Sequence, residues 1–310
     1  AMSPIKYDLI AIDIAKRTLR VQTPKSGFDL PYHATGLDRL KRELNSWERP
    51  LVVCEASGGY ERKLVHQLHE WEVAVSVVNP ALVRSFAKSE GLKAKSDPID
   101  AKMLMKFARQ KKLRPTAAPS PIQEQMVALL DRRAQLSGSL TREKNRLEKE
   151  PEHTRDLIEQ SIVFIEGQIA EVDRRMQALA HGDPEHEQDC RRLEQIKGVG
   201  ELTANTVLAY LPEIRTVSRN RLVALAGLAP YDNDSGEKQG RRFIQGGRAK
   251  IRRCLFNAAR SAARHNPHIR DYVAGLAARG KPYRSAIVAA MRKILICMQS
   301  LLKNPDFSHA

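Results

Sequence analysis

The 310-residue chain is 42% hydrophobic and only 5% aromatic, which excludes a disordered protein and leaves room for two or three domains. No apolar run approaches the roughly 20 residues that span a bilayer, and no basic-then-apolar leader opens the sequence, so neither a membrane protein nor a secreted one is expected. The formal net charge is +16, and its distribution says more than its size. From Arg241 to Ala310 there are 15 Lys and Arg against two acids, Asp271 and Asp306, whereas residues 1–240 hold 37 against 34. Solvated basic faces normally interleave acids, so a block this one-sided points to a polyanion partner, most simply nucleic acid. Cys54, Cys190, Cys254 and Cys297 are far apart with no CxxC pair, which argues against a zinc site or a disulfide framework and for a reducing cytoplasm. Ala1 ahead of Met2 reads as a cloning remnant.

An apolar strand over YDLIAIDIAK (7–16) closes on Asp13, and LRVQTP (19–24) and FDLPYHA (28–34) continue it as a hairpin and meander. Leu37, Leu40 and Leu44 then mark a helix. PLVVCEA (50–56) is a buried strand ending on Glu55, YERKLVHQLHEWE is a helix, and VAVSVVNP (73–80) is a strand stopped by Pro80. A basic helix from Ala81 follows, and another opens at KSDPIDAK (95–102). Three strands, helix, strand, helix, strand, helix is the order expected of a ribonuclease-H-like sheet, assigned here to residues 1–115.

TAAPSPIQ (116–123) reads as a linker, and beyond it the pattern is helical. Ile158, Ile162, Ile165, Ile169, Val172, Met176 and Leu179 alternate spacings of four and three, a heptad seam. Met126, Leu129, Leu136, Leu140 and Leu147 form a weaker seam, with EKEPEHT (148–154) as the turn between two coiled-coil arms. A hairpin this thin, within residues 116–188, is expected to bury its seam on a partner chain, giving a homo-oligomer, or else on its own protein's core. In residues 189–310, Gly198-Val199-Gly200 lies between two helical runs. It resembles the helix–hairpin–helix turn that grips a DNA backbone through amides, although such turns also join ordinary helices. A helix, a long polar loop, a basic helix and an amphipathic helix over about residues 283–303 complete the chain.

Asp13 and Glu55 each end a strand, so both can face the same edge of the sheet. In SDPIDAK, Ser96 or Asp97 can cap the helix and Pro98 suits its first turn. Asp97 and Asp100 then share one helix face, being three apart. Taken singly, each acid has a plain role as a cap, a strand-end turn or a first-turn acid favoured by the helix dipole. Together they form a set that repels itself unless cations neutralise it, and Mg²⁺ prefers such oxygen ligands. Two ions about 3.5–4 Å apart would clamp the attacking and leaving oxygens of a phosphodiester. Gly246 and Gly247 in QGGRAKIRR (245–253) would open a helix whose free amides bind phosphate. Arg248, Lys250, Arg252 and Arg253 follow as backbone clamps without base specificity.

Asp13, Glu55, Asp97 and Asp100 resemble, in order and spacing, the DEDD set of the insertion sequence one-ten transposases and their Piv-type invertase relatives. CEASGGYE, VVNPALVRSFAKSEGLKAKSDPIDA and LAGLAP…SGEKQGRRFIQGGRAKIRR support the likeness, which runs through nearly the whole chain. The resemblance implies an α/β plus α fold: a RuvC-like catalytic domain, a coiled-coil hairpin and a helical C-terminal transposase domain. It implies a site-specific DNA recombinase, guided in many members by a structured bridge RNA, with a catalytic serine matched here by Ser235. Lys238, Arg241 and Arg242 follow that serine and would neutralise a pentacovalent phosphate, with Lys95 as a further nucleic-acid contact beside the acids. Without the resemblance, Ser235-Gly236 is an ordinary turn. Tyr231 is a competing nucleophile or a loop anchor.

The expected cofactor is Mg²⁺, with Mn²⁺ as a substitute and no ATP, since the sequence has no GxxxxGK[ST] loop and phosphodiester energy is conserved. The expected partners are double-stranded DNA, a guide RNA and further copies of the chain, in a bacterial cytoplasm at the nucleoid. Two rivals remain open at this level. A RuvC-like hydrolytic nuclease, such as a Holliday-junction resolvase, would use the same acids with water. A non-catalytic nucleic-acid-binding protein would need none of them.

Overall fold

In the computed structural model, residues 7–91, 97–111, 113–231, 243–304 and 307 are described, the side chains of residues 97–99 excepted. The chain forms two compact units, Ala1–Ala118 and Pro119–Ala310.

The first unit is built on strands β1 (Asp8–Ile14), β2 (Thr18–Gln22) and β3 (Gly27–Pro31), helix α1 (Ala34–Leu44), β4 (Pro50–Glu55), α2 (Tyr60–Glu70), β5 (Ala74–Val78), α3 (Pro80–Ser89) and α4 (Asp97–Gln110). This is the element order expected from the sequence. The five strands run β3-β2-β1-β4-β5. β1 pairs antiparallel with β2, and β2 with β3, whereas β1–β4 and β4–β5 are parallel. Such a mixed sheet with helices on both faces is consistent with a nuclease-like domain of the DEDD type.

Strand alternation divides the apolar residues between the two faces. Ile10, Ile12, Ile14, Val52 and Cys54 go to one side, where Leu37, Leu40 and Leu44 of α1 and Leu64 and Leu68 of α2 cover them. Ala11, Leu51 and Val53 go to the other, under Leu104, Phe107 and Ala108 of α4 and Val83 of α3. Each fully buried Ile or Leu contributes about 1.5–3 kcal/mol relative to exposure. The segment after α4 is more than a tether. Thr116 donates its amide to the Val75 carbonyl (2.7 Å) and accepts the Val77 amide on its hydroxyl (3.1 Å), so it covers the outer edge of β5.

The second unit is helical. It holds α5 (Pro121–Leu147), α6 (Glu152–His181), α7 (Pro184–Glu194), α8 (Glu201–Tyr210), a 3₁₀ turn (Pro212–Arg215) and α9 (Arg219–Leu225). The strands β6 (Pro230–Tyr231) and β7 (Phe243–Ile244) and the helices α10 (Ala249–His265), α11 (Pro267–Ala278) and α12 (Tyr283–Lys303) follow. Three stretches had been expected as domains, 1–115, 116–188 and 189–310. In the structure the long hairpin of α5 and α6 joins the C-terminal helices, because Met126, Leu130, Val172, Met176 and Ala180 at its base pack with Ala209 of α8. Gln123 also donates to the Ala209 carbonyl at 3.0 Å.

The expected heptad seam is only partly covered. Ile162, Val172 and Met176 are buried, the last two against α5, but Ile158, Ile165, Ile169 and Leu179 are half-exposed. On α5 it is Leu130, not Leu129, that is buried. Two ion pairs cross the arms, Arg133–Asp173 (2.6 Å) and Lys144–Glu166 (2.8 Å). Leu157, Val163 and Phe164 on α6 remain 58–69% exposed.

α12 corrects one expectation. It is long and apolar enough to cross a membrane by length and composition. Its Ile287, Ala290, Met291, Ile294, Leu295 and Met298 instead form the centre of the C-terminal core, against Leu193, Ile196, Val207, Leu222, Ile251 and Leu255. The apolar content belongs to a core helix packed on most sides. Buried Asp189 fastens the same bundle, with both carboxylate oxygens accepting from Arg215 at 2.5–2.6 Å.

Candidate active site and nucleic-acid surface

Asp13 and Glu55 stand on neighbouring parallel strands. Ile12 pairs with Cys54, so one residue further along the two acids lie side by side at the carboxyl ends of β1 and β4. Both are half-buried. By alternation they share a face with Ala11 and Val53, the face that α4 covers. The first turn of α4 carries Asp97 and Asp100; Asp100 is half-buried and is followed by fully buried Ala101. Asp13 and Glu55 thus share one end of one face of the sheet, and Asp97 and Asp100 open the helix that covers that face. The side chain of Asp97 lies outside the described residues. Among the described residues, no three His, Cys, Asp or Glu side chains stand close enough to make a ready cation cage. The donor set, all carboxylate oxygen, suits a hard divalent ion.

The C-terminal candidates separate into three groups. Ser235, Lys238, Arg241 and Arg242, like Lys95 in the first unit, lie outside the described residues. Tyr231, 49% exposed, pairs with Phe243 across the β6–β7 ladder, which joins the two ends of the stretch that contains Ser235. The second group is structural in its contacts. Arg248 donates to both carboxylate oxygens of Glu213 (2.6 and 2.7 Å) and to the Tyr210 carbonyl (2.7 Å). Burial pushes the Glu213 carboxyl up, but the Arg248 guanidinium outweighs it and holds that carboxyl below its ordinary range. Lys250 donates to Asp131, which also accepts from the Tyr210 hydroxyl, and lies over the Tyr210 ring at 4.6 Å. Arg252 donates to the Gly246 carbonyl.

Gly247, expected to cradle phosphate, has a packing reason instead: its φ is +64° and a Cβ there would collide with the Gly227 backbone. The Arg248 amide beside it is taken by the Leu225 carbonyl at 2.8 Å. Gly246 faces open space. Arg253 forms the third group, exposed and without an ion pair to any described residue.

Two family models match the chain. One, described as "Transposase" and of the DEDD, IS110 type, covers residues 10–150. The other, the "Transposase IS116/IS110/IS902 family", covers residues 190–274. The chain belongs to the IS110 family of transposases. It is accordingly a DNA recombinase of mobile elements. Among its relatives are the "Pilin gene-inverting protein" of Moraxella lacunata and that of Moraxella bovis, each 27% identical over 257 residues, 81% of this chain and 80% of theirs. The "Transposase for insertion sequence element IS1111A" of Coxiella burnetii is 34% identical over 99 residues, 31% of this chain and 26% of that protein.

In this transposase the loop after Glu55 is fixed by a residue that sequence reasoning passed over. Glu61 of α2 accepts the amides of Ser57 (2.9 Å) and Gly59 (2.8 Å), folding SGG back onto the helix start. The signal was present in CEASGGYE, an acid two residues after a glycine pair, but nothing in the sequence showed which amides it would meet. The same neighbourhood silences Cys54. Burial, then the charges of Glu61 and Glu55, push its thiol up to about 12. Burial also raises Cys190 and Cys254 to about 12 and Cys297 to about 11. Since the thiolate is the reactive form, native transposase treated with N-ethylmaleimide at neutral pH is expected to keep full activity and label slowly; rapid stoichiometric labelling with loss of activity would contradict this.

Proposed function

We propose that this transposase cuts and rejoins DNA through a serine-linked intermediate, with Asp13, Glu55, Asp97 and Asp100 holding Mg²⁺, or Mn²⁺ in its place. The observation that supports the proposal is the shared face of Asp13 and Glu55 at the carboxyl ends of adjacent parallel strands, the face covered by the helix whose first turn bears Asp97 and Asp100. A bound divalent ion would supply Lewis-acid polarisation of the scissile phosphate and neutralise its developing charge.

The chain's own residues do the rest. The Ser235 Oγ attacks phosphorus and gives its proton to a neighbouring base or to solvent. The bond to the 3′-oxygen breaks, and that oxygen takes a proton and leaves as a 3′-hydroxyl. Later the 3′-hydroxyl of one strand attacks the phosphoserine linkage of another, which releases Ser235 and restores a phosphodiester. One phosphodiester is exchanged for another at each step, so no ATP is required. Lys238, Arg241 and Arg242 are the cations proposed to face the pentacovalent phosphate.

The one-sided charge of the C-terminal part supports a polyanion partner, and the likeness to RNA-guided members extends this to a structured guide RNA. Exposed Leu157, Val163 and Phe164 support assembly into a homo-oligomer. The test is a denaturing gel of protein mixed with element-end DNA, its flanking RNA and Mg²⁺. A DNA-bearing band that survives denaturation in the wild type and disappears in Ser235→Ala is the expected result. DNA cut equally by both proteins, with no adduct, would make the chain a hydrolytic nuclease.

A further inference from the structure

We propose that the solvent face of α10 carrying Arg253, Asn257, Arg260, Ser261, Arg264 and His265 binds the sugar–phosphate backbone of a nucleic-acid duplex. It rests on reading the chain as a DNA recombinase and adds a site outside the acids and the serine. The helix is sharply two-sided. Ile251, Leu255, Ala258, Ala259 and Ala262 are buried in the core, while Arg253, Asn257, Arg260, Arg264 and His265 are exposed. Asn257, Arg260, Ser261, Arg264 and His265 line a shallow groove of about 210 Å³ along that outer face.

Some exposed arginines of this unit sit beside acids: Arg146 on Glu143, Arg174 and Arg175 on Glu171, Arg191 on Glu187. Others, such as Arg132, Arg219 and Arg284, form no ion pair with a described residue but do not line a groove with a second arginine. At the start of α10, Arg248 and Lys250 are likewise paired, with Glu213 and Asp131. Arg253, Arg260 and Arg264 form no ion pair with any described residue, and α10 contains no acid at all. Like charges along a helix weaken it by a few tenths of a kcal/mol per pair, so an unrelieved stripe is explained best by an external anion.

The spacing suits a polyphosphate strand. From Arg253 to Arg264 the helix rises about 16 Å, a length over which one strand of a duplex presents about five phosphates at about 3.4 Å each. Asn257 and Ser261 between the arginines are the neutral donors that accompany such contacts. A single strand would call for exposed rings on which bases stack. Besides the His265 imidazole, the ring here is Phe256, which is half-buried and lies under the Arg260 guanidinium at 5.9 Å. The Ile196–Gly200 turn borders the stripe, since Gly198 packs directly on Ala262, next to Ser261, and Lys197 beside it is exposed.

The experiment measures binding of the full chain to duplex DNA and to duplex RNA of equal length by fluorescence anisotropy over a range of salt. Arg260→Gln with Arg264→Gln is compared with the wild type, and Arg174→Gln with Arg175→Gln serves as the charge-matched control. Loss of two phosphate contacts is expected to reduce the log–log salt slope on duplex DNA by about 1.8, with the control unchanged and Arg260→Lys/Arg264→Lys close to wild type. A reduced slope on RNA duplex alone would assign the same site to RNA. An unchanged slope on both, in a protein that still forms the serine adduct, overturns the site and leaves the proposed function standing. A wild type that binds neither duplex overturns both.

Discussion

Asp100→Asn is expected to lower DNA strand cleavage by roughly 10³-fold or more while duplex binding stays equal or tightens. Asn keeps the size of the side chain and removes only its charge. The helix start and the packing of Ala101, Leu104 and Phe107 behind it are untouched, so the loss is chemical and not a loss of fold. Binding does not suffer, because a negative charge facing a polyanion is removed. Asp13→Asn and Glu55→Gln should behave alike, since the proposed site takes all three as metal ligands. Asp8→Asn is the control. Asp8 lies at the opposite end of β1 and accepts only an exposed amide from Arg49 at 3.1 Å, so cleavage should be normal. Rates measured on element-end DNA with Mg²⁺ decide the matter. If Asp100→Asn retains more than about a tenth of the wild-type rate, a loss under about 1.4 kcal/mol in the barrier, the acid is no metal ligand.

The second large effect concerns Gly198. A Cβ at this residue would lie 2.5–2.7 Å from the backbone and side chain of Ala262, and its φ of +103° is one that L side chains rarely adopt. Neither obstacle can relax, because the neighbour is the buried backbone of α10. Gly198→Ala should therefore cost about 3 kcal/mol or more, from overpacking and backbone strain together. For a unit of this size that is a fall of roughly 6–12 °C in Tm. Gly200, two residues on, caps α8 with ordinary extended dihedrals and open space around it. Gly200→Ser should shift stability by only a few tenths of a kcal/mol yet weaken duplex binding if the backbone approaches phosphate there. Thermal melts of both variants separate the two glycines. Equal Tm values would show that the close packing on Ala262 is absent in solution.

Those two glycines illustrate the limits of a linear reading. Gly198-x-Gly200 invites a single role, but burial against a helix some sixty residues later gives the first glycine a steric duty that the second lacks. Arg248 and Lys250 repeat the lesson. Both read as phosphate clamps beside Arg252 and Arg253, until Glu213, 35 residues away, and Asp131, 119 residues away, prove to neutralise them. Ion pairing at such separation has no periodic trace. The basic stripe of Arg260 and Arg264 was hidden for the converse reason. Its four-residue spacing was visible, but only the fold shows that no described acid faces it and that its residues line one groove.

What the sequence determined by itself is what depends on short-range regularity. Strand alternation set which residues of β1 and β4 enter the core, and with it the common face of Asp13 and Glu55. The SDP start of α4 and the leucine spacing of α1 defined helix ends and faces, because caps and periodicity act within a turn or two. The tertiary structure alone decided how the hairpin joins the C-terminal helices, why α12 is a core helix, and which cations are left for a ligand. Each of these depends on which surfaces meet, and that is settled by packing and charge pairing between residues far apart in the chain.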